Sequence, residues 1–132
     1  MTKYELRLFR SRTLEIEELR YQLHFKLKEL AEPKPAALDK TAPGTIDGSK
    51  TERAVEEYDK LQRYYEGILD AYAAERLRIE KAFELLTPDE RAVLRDYYFD
   101  TMPWEAVAEK TGISYRHIHR LHKSALTKLA DV

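Results

Sequence analysis

The sequence predicts an all-α chain: a long N-terminal helical hairpin, coiled-coil-like in its pattern, followed by a small three-helix domain. Three observations carry this. Apolar residues recur at near-heptad spacing along two long stretches. The 132 residues include 36% charged side chains and only 4 Gly. The last third breaks into short segments punctuated by caps, prolines and one glycine.

The first helix is expected from about Lys3 to Ala31. Phe9, Ile16, Leu23 and Leu30 recur every seventh residue, and Leu19 and Leu27 widen the stripe. Glu15, Glu17, Glu18, Arg20, Lys26, Lys28 and Glu29 occupy the other sides, so the helix wants a partner helix. Glu32-Pro33-Lys34-Pro35 stops it, because proline lacks a donor and restrains the residue before it. With Pro43-Gly44 and Asp47-Gly48 following, residues 32–50 read as a flexible linker.

Ser49 or Thr51 is expected to cap a second long helix reaching about Leu86. Tyr58, Tyr65, Tyr72, Ile79 and Leu86 share one heptad position; Ala54, Leu61, Ile68 and Ala82 share another, interrupted by Glu75. Gly67 costs the helix roughly 1 kcal/mol and invites a close neighbour. Three tyrosines in succession suit an antiparallel hairpin, or a dimer of hairpins, better than a parallel zipper, since each hydroxyl needs water or a partner. The first 86 residues are therefore expected to oligomerise, most simply as a homodimer.

Residues 87–132 form the small domain. Thr87-Pro88-Asp89-Glu90 is a capping box with proline at the first helical position. Leu94, Tyr97 and Tyr98 face inward. Pro103-Trp104-Glu105 starts a second helix with Trp104, Val107 and Ala108 inside. Gly112 sits where a helix ends in a left-handed turn, Ile113 plugs the core, and Ser114 caps a third helix to about Leu129. Trp104, Tyr97, Tyr98 and Phe99 read as core rather than as a base-stacking platform. The junction Leu85-Leu86-Thr87-Pro88 leaves almost no linker, so the long helix orients the domain.

The third helix has two faces. Ile118, Leu121, Ala125 and Leu129 point inward. From Ser114 to Lys128 there is no Asp or Glu, although the whole chain carries a net charge of −1. A solvated face mixes both signs; a cation-only face suits a polyanion. The candidate double-stranded DNA contacts are Ser114, Tyr115, Arg116, His117, His119, Arg120 and Lys123. Arg116 and Arg120 share a face, and an Arg fork matches the O6 and N7 acceptors of guanine. Ser114 can cap and still donate to phosphate. Tyr115 suits a phosphate or a thymine methyl. His119, Lys123 and Lys128 lie further along, as backbone contacts.

Leu94-Arg95-Asp96-Tyr97-Tyr98-Phe99, Met102-Pro103-Trp104-Glu105-Ala106-Val107-Ala108, Thr111-Gly112-Ile113-Ser114 and Ile118-His119-Arg120-Leu121-His122-Lys123-Ser124-Ala125-Leu126 together resemble region 4 of sigma-70-type factors, a promoter-reading helix-turn-helix. With the long helices in front, the chain resembles phage transcriptional regulators of the ArpU and RinA type. That resemblance implies activation of late phage or prophage genes, in the cytoplasm of a bacterial host and on its nucleoid. The family typically has Arg then Glu after the cap and Gln further on. Tyr115, Arg116 and Arg120 stand there instead, so a different target sequence is implied. RNA polymerase is a possible partner by the same resemblance. Two other functions fit the layout: a packaging protein like the small subunit of phage terminases, or an adaptor on polymerase.

No cofactor, metal or membrane partner is expected. There is no Cys, so disulfides and thiolate zinc sites are excluded. No apolar run is long enough to span a bilayer, and the N-terminus lacks a signal-peptide core. His119 and His122 share a helix side, but His117 and His119 point about 200° apart, and no carboxylate stands near. Protonation of these histidines near pH 6 would add charge to the face and tighten DNA binding. No nucleophile–base pair, phosphate loop or HExxH motif is present, so no enzyme is expected.

Overall fold

A computed structural model describes residues 1–31 and 48–132. Its elements are α1 (Lys3–Ala31), α2 (Gly48–Ala82), a 3-10 turn (Phe83–Leu85), α3 (Pro88–Leu94), a π turn (Arg95–Phe99), α4 (Trp104–Thr111) and α5 (Tyr115–Leu129). Among the described residues there is no strand. The expected linker at 32–50 lies outside the described residues except for its last three. There α2 begins at Gly48, so Ser49 and Thr51 fall inside the helix rather than capping it.

The chain divides into two compact units, residues 1–15 with 70–132, and residues 16–69. In the second unit Ile16, Leu19 and Leu23 of α1 are buried, while Ala54, Tyr58, Leu61, Tyr65 and Ile68 of α2 are half-buried. Lys26 meets Glu57 at 3.6 Å. The expected stripe stops short: Leu27 is 49% and Leu30 36% exposed. Among the described residues, Leu30 faces a small cavity whose α2 side is Ala54 and Glu57. Among the described residues Gly67 has no close neighbour, since a Cβ there would meet nothing within 4 Å.

In the first unit the start of α1 pairs antiparallel with the end of α2. Phe9 stacks on Tyr72 at 4.7 Å and Glu5 meets Arg78 at 3.7 Å. The Tyr72 hydroxyl finds a partner in Thr13, 2.9 Å away. The two helices bring Leu6, Phe9, Ile79, Ala82 and Phe83 into one core with Val93, Leu94, Tyr98, Phe99, Val107, Ile118, Ala125 and Leu129. The helix-turn-helix therefore shares its core with both long helices.

The junction is tied down by α3. Arg91 donates to the Phe83 and Leu86 carbonyls, each at 3.2 Å, which satisfies acceptors freed where α2 ends. Thr87 caps α3 as the sequence predicts: its hydroxyl accepts from the Glu90 N–H, and the Glu90 carboxylate accepts from the Thr87 N–H.

One feature has no sequence marker. α3 widens into the π turn, whose Arg95 carbonyl accepts from the Asp100 N–H at 3.0 Å. The extra residue lets Tyr98 and Phe99 both reach the core. Thr101 then takes a left-handed φ of 55°, a strained position for a residue with a Cβ.

Candidate nucleic-acid interface

α4 and α5 build the site. Thr111 Oγ1 donates to the Val107 carbonyl at 2.7 Å and accepts from the Ile113 N–H, and Gly112 turns left-handed with φ 70°. A Cβ at Gly112 would meet no atom within 4 Å, so glycine is favoured there by its backbone conformation alone. Ser114 caps α5, its hydroxyl oxygen accepting from the His117 N–H at 3.2 Å. The hydroxyl hydrogen stays free to donate outward.

The exposed row of α5 is Arg116, Arg120, Lys123 and Thr127. None of its three cations enters an ion pair among the described residues. His117 is exposed on one flank. On the other, Tyr115 is 49% exposed and packs edge-on against His119 at 4.5 Å. His119 in turn lies 5.3 Å from Trp104, which stacks on Tyr97 at 3.8 Å. Tyr115 is thus the outer end of an aromatic ladder, held from behind by half-buried rings. Tyr98 and Phe99 are fully in the core as expected, whereas Tyr97 and Trp104 are only half-buried.

Two sequence expectations are corrected. Lys128 is not available to DNA: its ammonium pairs with Glu90, which is 1% exposed. Burial raises the pKa of that carboxyl, but Lys128, Thr87 and Ser124 outweigh it and hold it below the usual carboxylate range. Lys110 is similarly engaged, 2.8 Å from buried Asp96. His122, grouped with the polar histidines by sequence, is buried, with Nε2 2.7 Å from the Tyr98 hydroxyl. Burial chiefly, then the charges of Lys3, His119 and Arg7, push its pKa down to about 4. Burial also raises that of Tyr98. Both rings are neutral near pH 7, and the His122 tautomer decides which of the two donates. His122 therefore adds no charge to this face near pH 6.

The arrangement is a capped, acid-free helix behind a glycine turn. It presents two Arg forks four residues apart, a Lys one turn on, and a propped Tyr at its N-terminal end. The N-terminal dipole adds partial positive charge there. Among the described residues no helix is long and apolar enough to cross a membrane. No curated protein and no solved structure matches the chain. Residues 82–131 match the family model described as Sigma-70, region 4. That segment begins at the last residue of α2 and ends just past α5. The C-terminal part of the chain is a sigma-70 region 4-like helix-turn-helix domain, of a family that binds DNA.

Proposed function

We propose that this protein is a sequence-specific, duplex-DNA-binding transcriptional regulator that reads the major groove with the N-terminal half of α5. The observation that carries this is the cation row Arg116, Arg120 and Lys123, without an ion pair among the described residues, on a helix without one acid. Arg116 and Arg120 are assigned to guanine edges, Tyr115 to a thymine methyl or phosphate. Ser114, His117, His119 and Lys123 are assigned to the backbone. Its layout of long helices before a sigma-like domain supports a role as a late-gene activator of phage or prophage. Exposed Tyr21 and Phe25 on α1 support homodimerisation through the long helices.

Selection from a random duplex pool at about 0.1 M salt tests this. A motif of two half-sites is expected, its spacing set by the dimer. Arg116→Ala/Arg120→Ala should lose the motif, each lost fork costing about 1–3 kcal/mol of discrimination, with unchanged melting because both side chains are exposed. No enriched motif would overturn sequence-specific reading. An enriched motif that survives the double substitution would move the readout off α5.

A further inference from the structure

α1 is divided in charge along its length. Up to Thr13 it has Lys3, Arg7, Arg10 and Arg12 against the single acid Glu5, whereas Glu15, Glu17 and Glu18 follow. The basic half lies in the same compact unit as the helix-turn-helix, although the family match leaves it out. Contacts near each end of this half fix how it lies there. The Met1 ammonium donates to the carbonyl of Leu129, the last residue of α5, at 2.9 Å. Arg10 donates from Nε to the Tyr97 carbonyl at 2.9 Å and from Nη2 to the Thr101 carbonyl at 3.1 Å. Its guanidinium also sits 4.4 Å over the Tyr97 ring.

Lys3, Arg7 and Arg10 fall at i, i+4 and i+7 and so share one stripe. Arg10 shows which way that stripe turns: toward the Tyr97–Trp104 stack that backs α5. Both Lys3 and Arg7 lie near enough for their charge to act on His122 of α5, and Arg7 acts on Tyr98 too. Both are exposed, and neither has a carboxylate partner among the described residues. Glu5 turns away, toward Arg78 of α2.

We propose that the first two turns of α1 form a second, non-contiguous part of the DNA-binding surface, in which Lys3 and Arg7 take backbone phosphates flanking the groove that α5 enters. This rests on the duplex-DNA reading above. Flexible cationic side chains beside a recognition helix suit phosphates rather than base edges. They would add two cations to the three that α5 offers, from an element whose sequence pattern reads as packing.

The test is titration of a labelled duplex bearing the selected motif with the full chain, between about 0.05 and 0.2 M salt. Each phosphate contact adds about 0.9 to the slope of log affinity against log salt. Lys3→Ala/Arg7→Ala should flatten that slope by about 1.8, so its affinity falls about tenfold less than wild type across this range. Base preference and melting should not change. Lys3→Glu/Arg7→Glu should bind more weakly still, and Arg12→Ala, on the side facing Glu75, should keep the wild-type slope. A wild-type slope in both double variants, with Arg116→Ala/Arg120→Ala still impaired, would overturn the proposal and leave the α5 reading standing. Wild-type protein that binds no duplex would overturn both.

Discussion

Replacing His122 by Gln tests the buried polar pair that ties α5 to Tyr98. In the folded chain the His122 ring is held neutral down to about pH 4. In the unfolded chain an ordinary histidine takes up a proton near 6.5. The unfolded state therefore binds more protons between these values, and the stabilisation present above pH 6.5 is lost as pH falls through that window. By about pH 5 the loss is about 2 kcal/mol, approaching about 3 kcal/mol near pH 4. For a chain of this size about 2 kcal/mol corresponds to about 8 °C in melting temperature. Glu75 and Glu90 do not confound the range above pH 5. Their pKa values are lowered by Arg78 and by Lys128 respectively, so their contributions fade only at lower pH. The assay is thermal melting by circular dichroism from pH 8 to 5 for wild type and His122→Gln. Gln keeps a group able to pair with the Tyr98 hydroxyl in either direction but does not titrate. The wild-type melting temperature should fall with pH more steeply than that of the variant, by about 8 °C over the range. Parallel curves would refute the argument, because the other histidines are common to both proteins.

The Glu90–Lys128 pair should respond asymmetrically to deletion. Lys128→Ala leaves a carboxylate that is 1% exposed without its cation and should cost about 3 kcal/mol, the low end for a broken buried pair because Thr87 still donates to it. Glu90→Gln leaves a lysine that is 40% exposed and can reach water, at about 1 kcal/mol. Urea titration at constant m-value checks this, and equal costs would count against the burial argument. Gly67→Ala should stabilise α2 by about 0.5–1 kcal/mol, since the added methyl meets nothing. A loss of stability would reveal a neighbour at that position, such as a second copy of the chain.

What is legible in this sequence is whatever a few consecutive residues decide. The capping box at Thr87, the left-handed Gly112 and the Ser114 cap each depend on one helical turn, and each stands where the pattern puts it. The inward-facing stripe of α2, half-buried for most of its length, is legible for the same reason, since a period of 3.6 residues is a local property. The π turn at Arg95–Phe99 is not, because its extra residue is selected by the core that Tyr98 and Phe99 enter. The burial of His122 is not either, because its partner Tyr98 lies 24 residues away.

The charge of the exposed α5 row shows how much depends on such distant partners. Residues 101–132 hold five cations and three acids, a balance of +2. Two of those cations, Lys110 and Lys128, are neutralised by Asp96 and Glu90, which lie outside that segment. The three acids, Glu105, Glu109 and Asp131, lie off the exposed row of α5. The row itself therefore keeps Arg116, Arg120 and Lys123 with no acid among them, and its charge is more concentrated than the segment's balance states. A weakly acidic chain can present a cation-only face in this way because its carboxylates are spent on buried pairs and on the long helices. Moving one carboxylate onto that row, as in Thr127→Glu, would weaken duplex binding with little change in total charge.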